Sequence, residues 1–173
     1  MNILVLNHDG SCIVRPDTSY VKASSEYYQP DGMESLQMVP VLFTKANRAC
    51  KAVPARFASR YCEDYGLGIL LSPCGNIFCD HTSYLPLETY KEDALEGKAI
   101  ELYFKQNASR KTIVLNDVRG TVENALVRCS VLTSLRRGDY IAAEVTEPLS
   151  VLPGDTVLLE MEGRLILEIP VIF

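Results

Sequence analysis

The sequence predicts a mainly β protein with one principal helix packed on it, an α+β fold. Short apolar runs rich in Val, Ile, Leu and Tyr recur between turn residues along the whole chain, as strands do. One stretch alone, after Asn116, places its apolar residues at three- and four-residue spacing, which is helical. Gly-Asp pairs at Gly138-Asp139 and Gly154-Asp155 each feed a new apolar run. Roughly nine short strands and one good helix follow, in a single compact unit.

Each element has its own reason. Ile3-Leu4-Val5-Leu6 and Cys12-Ile13-Val14 flank Asn7-His8-Asp9-Gly10, residues that tolerate positive φ, and read as a hairpin. Pro16 to Gly32 is rich in Ser, Tyr, Pro and Asp without a sustained period and reads as a connection or flap; Tyr20, Tyr27 and Tyr28 there pack onto the body with their hydroxyls wet. We therefore divide the chain into an N-terminal hairpin and flap over 1–37 and a larger body over 38–173. Val39 to Phe43 is a buried strand ending at Thr44-Lys45. Leu67 to Leu71, the turn Pro73-Cys74-Gly75-Asn76 and Ile77-Phe78-Cys79 form a second predicted hairpin. Ala99 to Phe104 and Thr112 to Leu115 are further strands. The helix runs from Val118 or Thr121 to Leu135, with Val122, Ala125, Leu126, Cys129, Leu132 and Thr133 on one face and Asn116 or Asp117 as its cap. Tyr140 to Val145, Val157 to Met161 and Leu165 to Ile169 complete the set, the last two joined at Glu162-Gly163; Glu160, Glu162 and Glu168 mark solvated faces.

Composition excludes several classes. With 22 acidic against 17 basic residues and a net charge of −5, the chain has no concentrated positive stripe, so no nucleic-acid partner is expected. No apolar run reaches the roughly 18 residues that span a bilayer, and the N-terminal run lacks a basic leader, so no membrane is expected and the protein reads as cytoplasmic. Six cysteines without a Cys-x-x-Cys pair suit a reducing compartment.

Chemistry-bearing residues are sparse. His8 and Asp9 have the makings of an acid/base pair, but a turn before glycine selects such residues for backbone reasons. Cys74, Cys79 and His81 offer three soft ligands, yet structural zinc ordinarily uses two close pairs, and a turn followed by a strand explains them equally. With two histidines in turn contexts and no motif around any Ser or Cys, a nucleophilic site is not signalled. Gly66-Leu67-Gly68 lacks the third glycine and the helix of a phosphate loop.

Three segments carry a family resemblance. They are Pro40-Val41-Leu42-Phe43-Thr44-Lys45; Val53-Pro54 through Ile77, with Phe57, Arg60 and Gly75-Asn76 in step; and Ile100 to Phe173, holding Leu132-Thr133-Ser134-Leu135, Gly138-Asp139-Tyr140-Ile141, Leu152-Pro153-Gly154-Asp155 and Leu159 to Gly163. Together they resemble the fumarylacetoacetate hydrolase family, whose members act on acylpyruvates and related 2-oxo acids with a divalent metal. The resemblance implies a mixed β-roll like the family's C-terminal domain, a homodimer, and a small 2-oxo acid ligand.

It also implies departures. The family's Lys-Pro is Lys45-Ala46 here, and its Glu-x-Glu metal ligands fall on Asp64 and Gly66, with Glu63 adjacent. Strand alternation sends Glu63 and Asp64 to opposite faces, so they do not replace an i, i+2 pair. The region of the third ligand is largely deleted between Cys79 and Ala99, leaving Asp80 and Asp93 as the nearest acids. The substrate-binding Thr-Gly-Thr-Pro is replaced by the run from Ala142 to Pro148, which includes Glu144. The leading expectation is a shortened relative that has lost metal-dependent catalysis, holds no cofactor and acts as a binding or scaffold protein. The alternative is a rebuilt Mg²⁺- or Mn²⁺-dependent hydrolase, isomerase or decarboxylase using Glu63, Asp64, Asp80 or His81 as metal ligands and His8 or Glu144 in catalysis. An unrelated small β-rich binding protein is the third possibility.

Overall fold

The computed structural model describes residues 1–106 and 108–172; Phe173, the end of the third segment of resemblance, lies outside them. In chain order the strands are β1 Ile3–Leu6, β2 Cys12–Arg15, β3 Tyr20–Val21, β4 Tyr27–Tyr28, β5 Leu36–Lys45, β6 Gly66–Pro73, β7 Ser83–Tyr84, β8 Ala99–Phe104, β9 Ser109–Val114, β10 Tyr140–Glu144, β11 Leu149–Val151, β12 Thr156–Met161 and β13 Arg164–Ile172. The helices are α1 Glu92–Leu95 and α2 Val118–Leu132, with 3-10 turns at Asp17–Ser19 and Ala55–Arg60. Among the described residues no helix is long and apolar enough to cross a membrane.

The larger sheet follows the path β2-β1-β10-β5-β6-β7-β3, with β11 added beside β5; the smaller is β4-β13-β12-β8-β9. The larger sheet has to curl. Seven strands laid flat would separate β2 from β3 by about 29 Å, yet Arg15 ends β2 and Tyr20 begins β3, and that link reaches at most about 17 Å. Arg15 stitches the seam by donating from Nη1 to the Leu71 carbonyl at 2.8 Å and from Nη2 to Ser72 Oγ at 2.8 Å.

Curling gives the sheet two apolar faces, which is why its strands read as near-continuous hydrophobic runs rather than as alternation. Ile3, Val5, Val39, Val41, Phe43, Leu70, Leu85, Tyr140 and Ala142 fill the inside of the roll. Leu4, Met38, Leu42, Leu67, Ile69, Leu71, Ile141 and Ala143 face outward into a second core shared with α2 and the smaller sheet. β5 serves both faces along its length, with Leu36 and Met38 through Thr44 buried.

Three expectations need correction. Ile77 to Cys79 is not a strand; the partner of β6 is β7, through Ile69–Tyr84 and Leu70–Ser83, and Phe78 is exposed. Cys74 and Gly75 both take positive φ in the turn as expected, but the chain then loops out before returning to pair. The helix ends at Leu132 rather than Leu135, and Leu132 faces solvent, so the apolar face stops at Cys129. Tyr27 is buried, with no protein partner for its hydroxyl among the described residues.

Candidate functional site

One mouth of the roll opens where β5 ends, β6 and β10 begin and the chain leaves β7. It is a cleft of about 590 Å³ lined by residues that include Lys45, Asn47, Glu63, Asp64, Leu87 and Arg137, with Phe43, Gly138 and Tyr140 toward its base. Cross-strand pairing sets Lys45 opposite Tyr140. The Lys45 ammonium lies 5.5 Å from the centre of the Tyr140 ring, within cation–π range. The same ring stacks on Tyr20 with centroids 5.3 Å apart, meets Phe43 edge-on, and shares a hydroxyl contact with Tyr20 at 3.1 Å. Burial, then the Tyr20 hydroxyl, pushes the Tyr140 phenol up, so it stays protonated at physiological pH. Gly138 has φ +94, and a Cβ there would stand 3.7 Å from Lys45 Cε, so the lysine stem lies along the glycine.

The acids at this mouth are engaged by neighbours. Asp64 pairs with Lys91 at 2.5 Å, and Thr44 Oγ1 donates to its backbone carbonyl at 2.7 Å. Glu63 accepts from Asn47 Nδ2 at 2.9 Å. Lys91 is exposed and Asp64 partly so, and solvent screens the pair, so it contributes little to stability. Gly66, two residues past Asp64, has no side chain, and the Phe43 ring lies so close that a Cβ there would overlap its carbons.

The opposite mouth holds His8 and Glu144. The His8 backbone N–H donates to Glu144 Oε2 at 2.7 Å, so the imidazole takes no part in that contact. A cavity of about 400 Å³ spans these two residues, Arg15, Gln37 and Ser72. Burial pushes the Glu144 carboxyl up, while the His8 N–H and the Arg15 charge pull the other way. Desolvation lowers Arg15 to about 10, and its Nε finds no protein acceptor among the described residues. Asp80 and His81 are exposed on the turn before β7, separated from Asp64 by the length of β6, roughly 25 Å. His81 takes φ +56 and donates its backbone N–H to Thr18 at 3.2 Å. The structure thus groups Glu63 with Asp64 and His8 with Glu144. Among the described residues, no three His, Cys, Asp or Glu side chains gather as a ligand group would.

Comparison with protein-family models and with curated proteins gives no sequence match. Comparison with solved structures gives matches over almost the whole chain. A fumarylpyruvate hydrolase from Pseudomonas aeruginosa, in complex with Mn²⁺ and pyruvate, superposes with a TM-score of 0.75 at 14% identity, covering 100% of this chain and 90% of that one. A 5-carboxymethyl-2-hydroxymuconate delta-isomerase from Mycobacterium smegmatis gives 0.75 at 19% identity, covering 99% and 78%. A maleylpyruvate hydrolase from Sphingobium sp. SYK-6 gives 0.74 at 14%, covering 99% and 70%. The fold is that of the fumarylacetoacetate hydrolase family.

On that fold, the positions matched by the resemblance to the Glu-x-Glu pair lie at the Lys45 mouth. They carry one carboxylate, already paired, and one glycine covered by an aromatic ring. A hard divalent cation takes several anionic or carbonyl oxygens, and this donor set does not fit one. Lys45, Arg137 and Tyr140 were not picked out from the sequence as site residues. The adjacent Arg136-Arg137 pair before the Gly-Asp turn was the only local signal, because the convergence with Lys45 arises from β5–β10 pairing.

Proposed function

We propose that this protein keeps the fumarylacetoacetate hydrolase fold without metal-dependent catalysis and works as a binding protein, with the Lys45 mouth as its ligand site. The observation that carries this is position 66, where a ligand carboxylate of the family gives way to a glycine under the Phe43 ring. The solvent-screened Asp64–Lys91 pair is too weak to decide the matter, since a bound cation would displace it at little cost. Glu63 and Asp64 lie just before β6 and both line the cleft, so the expected alternation to opposite faces does not hold, but Glu63 is held by Asn47 and two carboxylates alone fall short of the several oxygens a hard cation takes. A homodimer and a cytoplasmic location belong to the same proposal.

Calorimetric titration with Mn²⁺, alongside an acylpyruvate hydrolysis assay, tests it. The expected outcome is no binding tighter than millimolar, indifferent to Asp64→Ala, and hydrolysis at the buffer rate. Micromolar binding, worth about 8 kcal/mol, that disappears in Asp64→Ala would overturn the proposal and favour a rebuilt hydrolase, isomerase or decarboxylase.

A further inference from the structure

We infer that the Lys45 mouth binds a small carboxylate with an apolar body directly, its charge taken by Lys45 and Arg137 with no metal between; this rests on the metal-free reading above. The charge balance of the cleft points there. Asp64 is paired with Lys91 and Glu63 keeps its charge beside the Asn47 amide, whereas both Lys45 and Arg137 have no carboxylate within ion-pair reach among the described residues. The cleft therefore offers two cations without a partner against one carboxylate, Glu63, that only a neutral amide engages. Both cations lie beside the same glycine: Arg137 precedes Gly138 in the chain, and the Lys45 stem runs along it.

The apolar part of the ligand follows from the rest of the lining. Leu87 is 68% exposed and lines the cleft together with the buried ring of Pro86. A carboxylate held at Lys45 and Arg137 would lay its body across these two residues, covering a leucine that is otherwise left in water. The base of the cleft adds no competing charge, because the Tyr140 hydroxyl is engaged by Tyr20. Exposed cations of this kind are screened by salt, so binding weakens as ionic strength rises past the point where the Debye length is about 10 Å.

The test uses NMR titration of the intact chain in EDTA with three probes: benzoate, acetate and benzylamine. Benzoate is expected to shift the Lys45, Gly138 and Tyr140 amides, acetate to bind more weakly, and benzylamine not at all. Lys45→Gln or Arg137→Gln is expected to raise the benzoate Kd about tenfold, equal to about 1.4 kcal/mol. Leu87→Ser should bring benzoate down to the level of acetate. All three side chains are exposed, so the spectra elsewhere should be unchanged. Absence of benzoate binding with or without Mn²⁺, or binding indifferent to both cation substitutions, overturns the ligand class and leaves the metal-free reading standing. Binding that requires Mn²⁺ and is lost in Asp64→Ala overturns both.

Discussion

Gly66, on which the proposed loss of metal chemistry rests, is first of all a packing residue. It has no positive φ to justify a glycine, so an alanine suits its backbone; the constraint is the Phe43 ring, which occupies the space a Cβ needs. Phe43 is 1% exposed and wedged between Gly66 and Tyr140, with little room to retreat. Gly66→Ala should therefore destabilise the protein by about 1–3 kcal/mol through overpacking, read from urea unfolding. Phe43→Ala alone should cost about 3–5 kcal/mol by opening a cavity. The informative quantity is the double variant. If the ring is what excludes the Cβ, the two losses should sum to well over the measured total, with a coupling of at least about 0.5 kcal/mol. Additive losses would mean that something other than Phe43 requires glycine. The same geometry predicts that Gly66→Glu would not present its carboxylate to the cleft, since its stem would have to pass through the ring.

At the scale of elements, α2 shows how a helix in a β protein is held. Asp117 takes φ +51 and ψ +50, and its side chain accepts from the Gly120 N–H at 3.2 Å. Glu96, from the turn after α1, accepts from the Asp117 and Val118 N–H groups at 2.8 and 2.9 Å. Three N–H groups that the helix leaves open are thus met by two carboxylates placed where its positive end favours them. Asp117→Ala loses the cap, about 1 kcal/mol, and keeps a Cβ in the left-handed region without the local hydrogen bond that helps aspartate adopt it. Asp117→Gly loses the same bond without keeping that Cβ and should be the milder change in thermal unfolding; the reverse order would contradict the cap geometry. Periodicity made this helix and most long strands legible in the sequence, because their apolar spacing is a local property. Strands of two residues are another matter. Ser83–Tyr84 pairs with β6 only because the chain loops back from the turn at Cys74, whereas the apolar triplet Ile77 to Cys79 looked the better strand and pairs with nothing regular. Similarly, Glu63 and Asp64 were found by matching a motif, but the meeting of Lys45, Arg137 and Tyr140 depends on antiparallel pairing between residues far apart in the chain.

At the scale of the whole molecule, the decisive event is closure of the larger sheet, and Arg15 carries its seam. It is 2% exposed, and it donates to Leu71 O, Thr82 O, Thr82 Oγ1 and Ser72 Oγ at 2.8, 3.4, 3.3 and 2.8 Å. No carboxylate lies within ion-pair distance of it among the described residues, and desolvation brings its guanidinium down to about 10. Two terms then oppose each other in Arg15→Met. Burying the charge costs roughly 3 kcal/mol by the size of that shift, a cost the methionine removes. Stranding the acceptors at Leu71, Thr82 and Ser72 costs about 1–3 kcal/mol for each one left without a partner. Three acceptors at that cost come to about 3–9 kcal/mol against the roughly 3 kcal/mol recovered, a net loss anywhere from about 0 to 6 kcal/mol, so global unfolding does not isolate the role of Arg15. Hydrogen exchange is the better measurement. If Arg15 holds the roll shut, its replacement should strip protection from the β3 and β7 amides at the seam, while α2 and the β12–β13 hairpin keep theirs, because their core lies on the far side of the sheet. A uniform loss of protection would make Arg15 an ordinary core residue. Retained protection at β3 and β7 would show that the apolar interior around Val41, Phe43 and Leu70 closes the roll without it.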